Sequence, residues 1–366
     1  MIVDLAQELS GHGVACEVIS SGKTSRLQDW PELVEKIERS NVRYDQINFF
    51  DRDPDIFQDS VNRLAGRLRE GRYNLIHAHS GVPAAAAHLA LDRLGLRIPV
   101  VATFYSWGIG RPEWMDITDI EAFERCNRMI VISSWYRDFL EKRGIEPERI
   151  EIIPPGIDPS LFEIRGKREL LEKICGFEHS EMPILADLAV IERRKNQLAA
   201  IEALALLPPE SECRLAFIGA LKDAEYHAEL VTAAQRLGVA EKVAFTGKVD
   251  DPLPLLAGAD IFVFPSLSEG LGIAIMEAMA LGVPVVSSAA EGAADLVIDG
   301  ETALAIDPRD ASKIAAAVGT LLEKSDLAHR LTGAARIMIE NHYVRTRTTE
   351  RCADLYRRVL RESGRS

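Results

Sequence analysis

Glu269 and Glu277 bracket a turn, Gly270-Leu-Gly272, that opens a short apolar helix. Glycine has no Cβ, so backbone N–H groups at Gly270 and Gly272 can come close to an anion. A helix start adds unpaired N–H donors and partial positive charge, which suits phosphate. The two carboxylates repel phosphate and are therefore expected to face hydroxyl groups on either side of it. A charged acceptor to a hydroxyl is typically worth roughly 1.5–3 kcal/mol net. A ligand with hydroxyls on both sides of a diphosphate is a nucleotide sugar, with a ribose at one end and a hexose at the other. The local alternative is one glutamate capping a helix start and another on a solvated face.

The elements that must hold this turn are legible around it. Ile261-Phe-Val-Phe264 is a short apolar run ended by Pro265, as in a buried parallel strand. The helix pattern starts near Gly272, with Ile273, Met276 and Ala280 on one face. Gly282 and Pro284 stop it, and Val283 begins another strand. The order strand, turn, helix, strand puts the turn at the carboxyl end of a strand, where open α/β sheets bind ligands.

Taken whole, Ser266-Leu-Ser-Glu-Gly-Leu-Gly-Ile-Ala-Ile-Met-Glu-Ala-Met-Ala-Leu-Gly-Val-Pro-Val-Val286 resembles the two-glutamate segment of the family 4 retaining glycosyltransferases, which have the GT-B fold. In that family the first glutamate contacts the donor sugar and the second the nucleotide ribose. The resemblance gives those roles to Glu269 and Glu277, and donor contact to Gly270, Leu271 and Gly272. It implies two Rossmann-like, doubly wound α/β domains facing across a cleft.

Composition sets outer limits. A chain of 366 residues with 47% hydrophobic content holds two domains of ordinary size. No apolar run reaches the ~18 residues of a membrane span, and the start reads as a helix carrying Asp4 and Glu8 rather than a signal peptide. The net charge of −13 argues against nucleic acid as a partner. It leaves room for a local basic patch and for peripheral membrane contact. Five cysteines are scattered without a CxxC pair, which reads as buried thiols in a reducing cytoplasm with no metal site.

The first domain, 1–160, opens oddly. Residues 1–10 are helical, with apolar positions at 2, 5, 6 and 9, and Val14–Ser20 reads as a strand. The family starts one element earlier, with a strand and a glycine-rich loop that this sequence lacks. Because the first strand of a doubly wound sheet is central, its loss predicts unpaired strand edges and a gap in the core. Either the natural chain starts upstream or a variant fills the gap another way. Alternating strands and helices follow: a strand within 41–50, a helix over Ile56–Leu68, the strand of Tyr73-Asn-Leu-Ile-His-Ala-His79, a helix over Pro83–Leu94 and a strand over Ile98–Phe104. His77 and His79 share one strand face. They are either a metal pair lacking an evident third ligand or hydrogen-bonded histidines at a strand end. The stretch resembles the family's acceptor-side segment, which makes His79 a catalytic candidate. Many family members carry a histidine after the next strand, where this chain has Tyr105. A phenol donates a hydrogen bond but is a poor proton acceptor near neutral pH. Trp107, Arg111 and Trp114 then form a polar, aromatic loop, suited to stacking on an acceptor sugar or simply packed by its own tryptophan. Arg128–Ser134 is a strand entering a helix capped by Ser133 or Ser134. Arg149-Ile-Glu-Ile-Ile-Pro-Pro-Gly-Ile-Asp158 resembles the segment that ends the family's first domain, with the boundary near 155–165.

The second domain, 161–340, begins with the strand of Pro183–Ile191 and then Glu192-Arg-Arg-Lys-Asn-Gln197. This resembles the family segment whose Arg and Lys neutralise the donor diphosphate. Lys195 matches the lysine, and Val190 stands where the arginine is expected. Arg193 or Arg194 would substitute, since guanidinium suits phosphate; alternatively all three start a solvated helix. Arg214–Gly219 and Lys242–Lys248 are further strands. By resemblance the loop at Thr246 and Gly247 touches the nucleobase through backbone atoms, which leaves the base open. Ala289–Gly300 resembles the closing stretch, with Asp295 in place of glutamate, and Thr302–Ile306 is the sixth strand. The helical tail, Ala311–Leu322 and Leu327–Leu360, ends in a helix from 341 to 366 that in the family crosses back to the first domain. Tyr356, Val359 and Leu360 would make that contact; packing on the second domain alone is the other reading.

These readings converge on a cytoplasmic, metal-independent, retaining transferase that moves a hexose from a nucleotide-diphosphate sugar to a hydroxyl of a glycan or lipid-linked glycan. No cofactor is implied, and Gly270, Gly272, the helix start and Lys195 would hold the leaving diphosphate. Two alternatives stand beside it: a catalytically impaired GT-B protein acting as a nucleotide-sugar-binding or partner subunit, and a nucleotide-sugar epimerase.

Overall fold

The short β-branched runs of the sequence fold as parallel strands throughout. A computed structural model of the chain describes residues 2–21, 35, 37–40, 42–49, 54–106, 113–177 and 181–364. It divides into two units, Met1–Gly156 with Arg345–Ser366, and Ile157–Val344.

In the first unit, β1 (Glu17–Ser20) pairs with β2 (Arg43–Gln46) in a two-stranded sheet. A second sheet runs in the order β3 (Ile76–His79), β4 (Val100–Phe104), β5 (Arg128–Val131), β6 (Ile150–Ile152). Among the described residues no strand lies between β1 and β3 to join their sheets. Among the described residues β1 bonds only to β2 and β3 only to β4, so each presents an unpartnered edge. Side chains link the two sheets at the start of β1, where the Tyr73 phenol donates to Glu17 at 2.7 Å and Arg67 pairs with the same carboxylate. Val100–Phe104 is fully buried, as a strand covered on both faces must be. Ser133, not Ser134, caps the helix after β5, its hydroxyl accepting from the Tyr136 N–H.

The helix Arg345–Glu362 belongs to this unit. Its Ala353, Leu355 and Val359 are buried with Leu9, Val101, Ile130 and Ile153. Arg358 donates to Glu151 at 2.6 Å, and the Thr349 hydroxyl donates to Glu8 at 2.8 Å. The tail is not one continuous helix from Leu327 to Leu360. It breaks after His342, where Val344 turns extended, is buried and bridges Ile157. Among the described residues no helix is long and apolar enough to cross a membrane.

The second unit carries a six-stranded sheet in the order β12 (Leu304–Ile306), β11 (Val285–Ser288), β10 (Ile261–Phe264), β7 (Ile184–Leu188), β8 (Arg214–Ile218), β9 (Val243–Phe245). From β7 the chain steps outward to β8 and β9, then returns to the other side of β7 for β10, β11 and β12. The order therefore reverses between β7 and β10, and ligands of open α/β sheets bind at that reversal, beyond the strands' carboxyl ends. Helices Gln197–Leu206 and Ala311–Glu323 cover one face, with Ile201, Leu204, Ile314 and Val318 against Leu185, Leu215 and Val263. Helix Ile273–Ala280 starts from the turn after β10.

Leu355 is fully buried. Leu355→Ala should cost roughly 2–5 kcal/mol, read as lost hydrogen-exchange protection in β4 and β5. Protection unchanged within about 0.5 kcal/mol would contradict this packing.

Candidate active site at the sheet reversal

Two loops meet where the strand order reverses: Ala189–Asn196 after β7 and Pro265–Gly272 after β10. Backbone and side-chain bonds tie them together. The Leu267 N–H donates to the Arg194 carbonyl at 2.9 Å, and Arg194 Nη1 donates to the Ser268 carbonyl at 2.6 Å. Asn196, held in the left-handed region at φ 55, donates its amide to the carbonyls of Pro265 at 3.2 Å and Pro308 at 2.6 Å. Asparagine tolerates that backbone region better than most residues, and here it opens the helix Gln197–Leu206.

Glu269 lies at the centre of these loops and is buried. Its Oε1 accepts from Lys195 Nζ at 2.7 Å, from the Ser266 hydroxyl at 2.6 Å and from Arg194 Nη1 at 3.2 Å. Its Oε2 takes no hydrogen bond among the described residues. The Lys195 ammonium is almost as enclosed, at 12% side-chain exposure, and stands 4.8 Å from the centre of the Phe264 ring. An ammonium has three donors, and the Glu269 carboxylate engages one of them. The Glu269 carbonyl accepts from the Gly292 N–H at 3.2 Å, and the Ser268 hydroxyl donates to Glu291 at 2.6 Å. Glu291 pairs this way despite a strained backbone at φ 50.

Beside the carboxylate the turn closes through Gly272 at φ 92. That backbone region strains any residue with a Cβ, so the position is reserved for glycine. Leu271 is buried and anchors the turn. The first N–H groups of helix Ile273–Ala280 have no intrahelical acceptor and carry the positive end of the helix dipole. Glu277 sits one turn along, half-buried, and its carboxyl takes no hydrogen bond among the described residues. Burial pushes its carboxyl up to about 7.

The two arginines part company. Arg194 is in the site, held also by Glu192 at 2.8 Å. Arg193 turns away and makes a two-pronged pair with Glu229 at 2.6 and 2.7 Å, stacked over Tyr226. Thr246 and Gly247 follow β9, two strands from β7, with Gly247 in the left-handed region and bridged to Gly219.

In the first unit, His79 ends β3 and its Nδ1 bonds the Tyr105 phenol at 2.7 Å. Both ring nitrogens of His77 are taken, by Tyr356 at 2.6 Å and Thr103 at 2.7 Å, which leaves it no lone pair for a metal. Burial lowers His79 to about 4, holding it neutral. Burial likewise raises the Tyr105 phenol, so it acts as a hydrogen-bonding group rather than a base. Trp107 and Arg111 lie outside the described residues, as does the Trp114 side chain.

Several residues of the site escaped the sequence reading. Ser266 and Glu192 look like ordinary loop residues and reveal their role only through contacts. Asp187 had a signal: it is the one charged residue in the run Pro183–Ile191. It is 1% exposed, and neither carboxyl oxygen has a partner. Burial raises it to about 8, Lys195 pulling it down and Glu269 pushing it up. An aspartate whose folded pKa lies above its unfolded value binds more protons when folded, so its contribution to stability falls as pH rises from about 4 to about 8. Asp187→Asn should therefore melt higher than the wild type at pH 7.5, with the gap closing near pH 5. A gap independent of pH would contradict the neutral Asp187.

Comparison with known proteins agrees with this architecture in both halves. Residues 177–338 match the family Glycosyl transferases group 1, and residues 1–161 match Glycosyltransferase Family 4. The chain is 25% identical over 393 residues to D-inositol 3-phosphate glycosyltransferase of Acidothermus cellulolyticus, covering 99% of this chain and 85% of that one. Among solved structures, a glycosyltransferase from Rickettsia africae superposes with a TM-score of 0.84 at 20% identity, covering 98% of this chain and 93% of that one. HepE of Anabaena, solved in complex with UDP, superposes with a TM-score of 0.81 at 20% identity, covering 97% and 94%.

Proposed function

Because the chain belongs to the family 4 glycosyltransferases of the GT-B fold, we propose that it moves a hexose, with retention at the anomeric carbon, from a nucleotide-diphosphate sugar to a hydroxyl of a glycan or lipid-linked glycan. The observation that carries this reading is Glu269: one carboxyl oxygen is anchored by Lys195, Arg194 and Ser266, and the other is free beside a helix start. That pattern suits a donor sugar whose hydroxyl bonds Oε2 while its diphosphate lies against the N–H groups of the Gly270–Gly272 turn. The remaining Lys195 donors balance the charge that develops on the leaving diphosphate. The sugar–phosphate bond breaks, the acceptor oxygen bonds to the same face of the anomeric carbon, and the departing phosphate oxygen takes the acceptor's proton. Glu277 accepts from the ribose hydroxyls. The chemistry needs no cofactor, and the helix start with Lys195 supplies the positive charge a metal would otherwise bring. The reading of a non-catalytic partner subunit is not favoured, since both halves match glycosyltransferase families and Glu269 and Lys195 are placed together.

HepE binds UDP, so a uridine nucleotide is the first probe, with GDP and ADP beside it. A nucleotide at 100 times its Kd should stabilise by roughly 2.7 kcal/mol, a rise on the order of 5–10 °C in melting temperature. No rise with any of the three overturns the donor-site reading. Ribose hydroxyls bond the charged form of Glu277, which forms as pH rises through about 7. The advantage of the wild type over Glu277→Gln in binding should therefore grow between pH 6 and pH 8. The nucleotide's own titration cancels in that ratio, and a constant ratio would remove Glu277 from the ribose.

A further inference from the structure

The loop after β7 carries a carboxylate that the transfer chemistry leaves unused. The Glu192 side chain is 16% exposed. Its Oε1 accepts from Arg194 Nη2 at 2.8 Å and its Oε2 from Lys222 Nζ at 2.6 Å. Burial alone would raise its carboxyl, but the bonds from Lys222 and Arg194 hold it below the usual value, so Glu192 is charged at neutral pH. Lys222 lies in the loop after β8, which is laced to the loop after β7. The Ile191 N–H donates to the Ala220 carbonyl at 2.9 Å, and the Asp223 N–H donates to the Ile191 carbonyl at 3.1 Å. Gly219 allows this approach, since a Cβ there would meet the Ala189 carbonyl oxygen at 2.1 Å.

The ion pairs form one line of alternating charge: Lys222, Glu192, Arg194, Glu269, Lys195. A carboxylate beside an anion site ordinarily weakens it by repulsion. Here Lys222 cancels Glu192, so the cluster keeps the one net positive charge that Arg194, Lys195 and Glu269 give it. What Glu192 adds is geometry. Arg194 Nη1 is shared between the Ser268 carbonyl at 2.6 Å and Glu269 Oε1 at 3.2 Å, and Glu192 takes Nη2. Both terminal nitrogens of the planar guanidinium are therefore held. A guanidinium has five N–H donors, and the Nε–H and the second Nη2–H have no partner among the described residues. The side chain is 33% exposed. A guanidinium in a fixed plane with two unused donors suits phosphate oxygens.

We infer that Glu192 is a positioning residue that fixes the Arg194 guanidinium to receive the donor diphosphate, with Lys222 cancelling the charge that Glu192 would otherwise bring to the site. This rests on the transferase reading and deepens it. The phosphate arginine is Arg194, and its placement depends on a carboxylate that itself never touches the donor.

Glu192→Met and Glu192→Gln remove the same charge and are close in size, but only glutamine keeps an oxygen acceptor for Arg194. The probe is the tightest-binding of UDP, GDP and ADP. It should bind Glu192→Met roughly 10-fold more weakly than Glu192→Gln, about the worth of one hydrogen bond to a charged group. The gap should close when Arg194→Met is added to both, because Glu192 acts through Arg194. Equal affinities of the two variants, or a gap that survives the loss of Arg194, overturns the inference. Lys222 is 65% exposed, so Lys222→Met should weaken binding at low salt and not at high salt; a loss independent of salt contradicts its role as a charge balance. The Leu267 N–H, which donates to the Arg194 carbonyl, reads the placement without a ligand. Its hydrogen exchange should be faster in Glu192→Met than in Glu192→Gln. If no form binds a nucleotide while this difference appears, the donor-site reading fails and the positioning by Glu192 is supported. If a nucleotide binds and the exchange rates match, the positioning alone fails.

Discussion

One carboxyl oxygen organises the second unit's site. Glu269 Oε1 gathers an ammonium, a guanidinium and a hydroxyl at the point where the strand order reverses. A buried carboxylate is tolerable only with such partners, and breaking a pair of this kind typically costs 3–5 kcal/mol. The constraint works in both directions. It pins the turn after β10 to the loop after β7, and it leaves the second carboxyl oxygen without a partner among the described residues. Asn196 and the Leu267–Arg194 backbone bond hold the two loops together, and the Ser268–Glu291 pair ties the second to the segment after β11.

Much of this was legible in the sequence because the signals were local. The glycines of the turn, the two glutamates and the apolar strands on either side follow from steric freedom and periodicity over a few residues. The six strands of the second unit each fall where an apolar run ends in a turn. The choice between Arg193 and Arg194 was not legible. Adjacent residues in a one-turn helix point in different directions, and only the three-dimensional position of Glu229 draws one of them out. Ser266 and Asp187 were missed for a related reason, since their surroundings come from segments far away in the chain. The tail shows the limit of helical periodicity: the pattern runs through residues 343–344, yet a buried extended contact with Ile157 breaks the helix there.

The first unit uses polar groups differently. Where the second unit concentrates charge on one oxygen, the first lines up neutral donors and acceptors between β3, β4 and the last helix. Neutral rings and hydroxyls are cheaper to bury than ions. Among the described residues β1 and β3 lie in separate sheets, while β3 to β6 and the last helix enclose a core. The residues nearest the candidate chemistry in this unit belong to that intact part.

The site depends most on the coupling between Lys195 and Glu269, and a double-mutant cycle measures it. Lys195→Met, Glu269→Gln and the double variant are compared with the wild type by urea unfolding without ligand. If the pair anchors the site, each single change leaves a buried group unpaired, and the double variant loses less than the sum by about 1 kcal/mol or more. Losses that add within roughly 0.5 kcal/mol would mean the two residues do not depend on one another, and the site would need another organising contact.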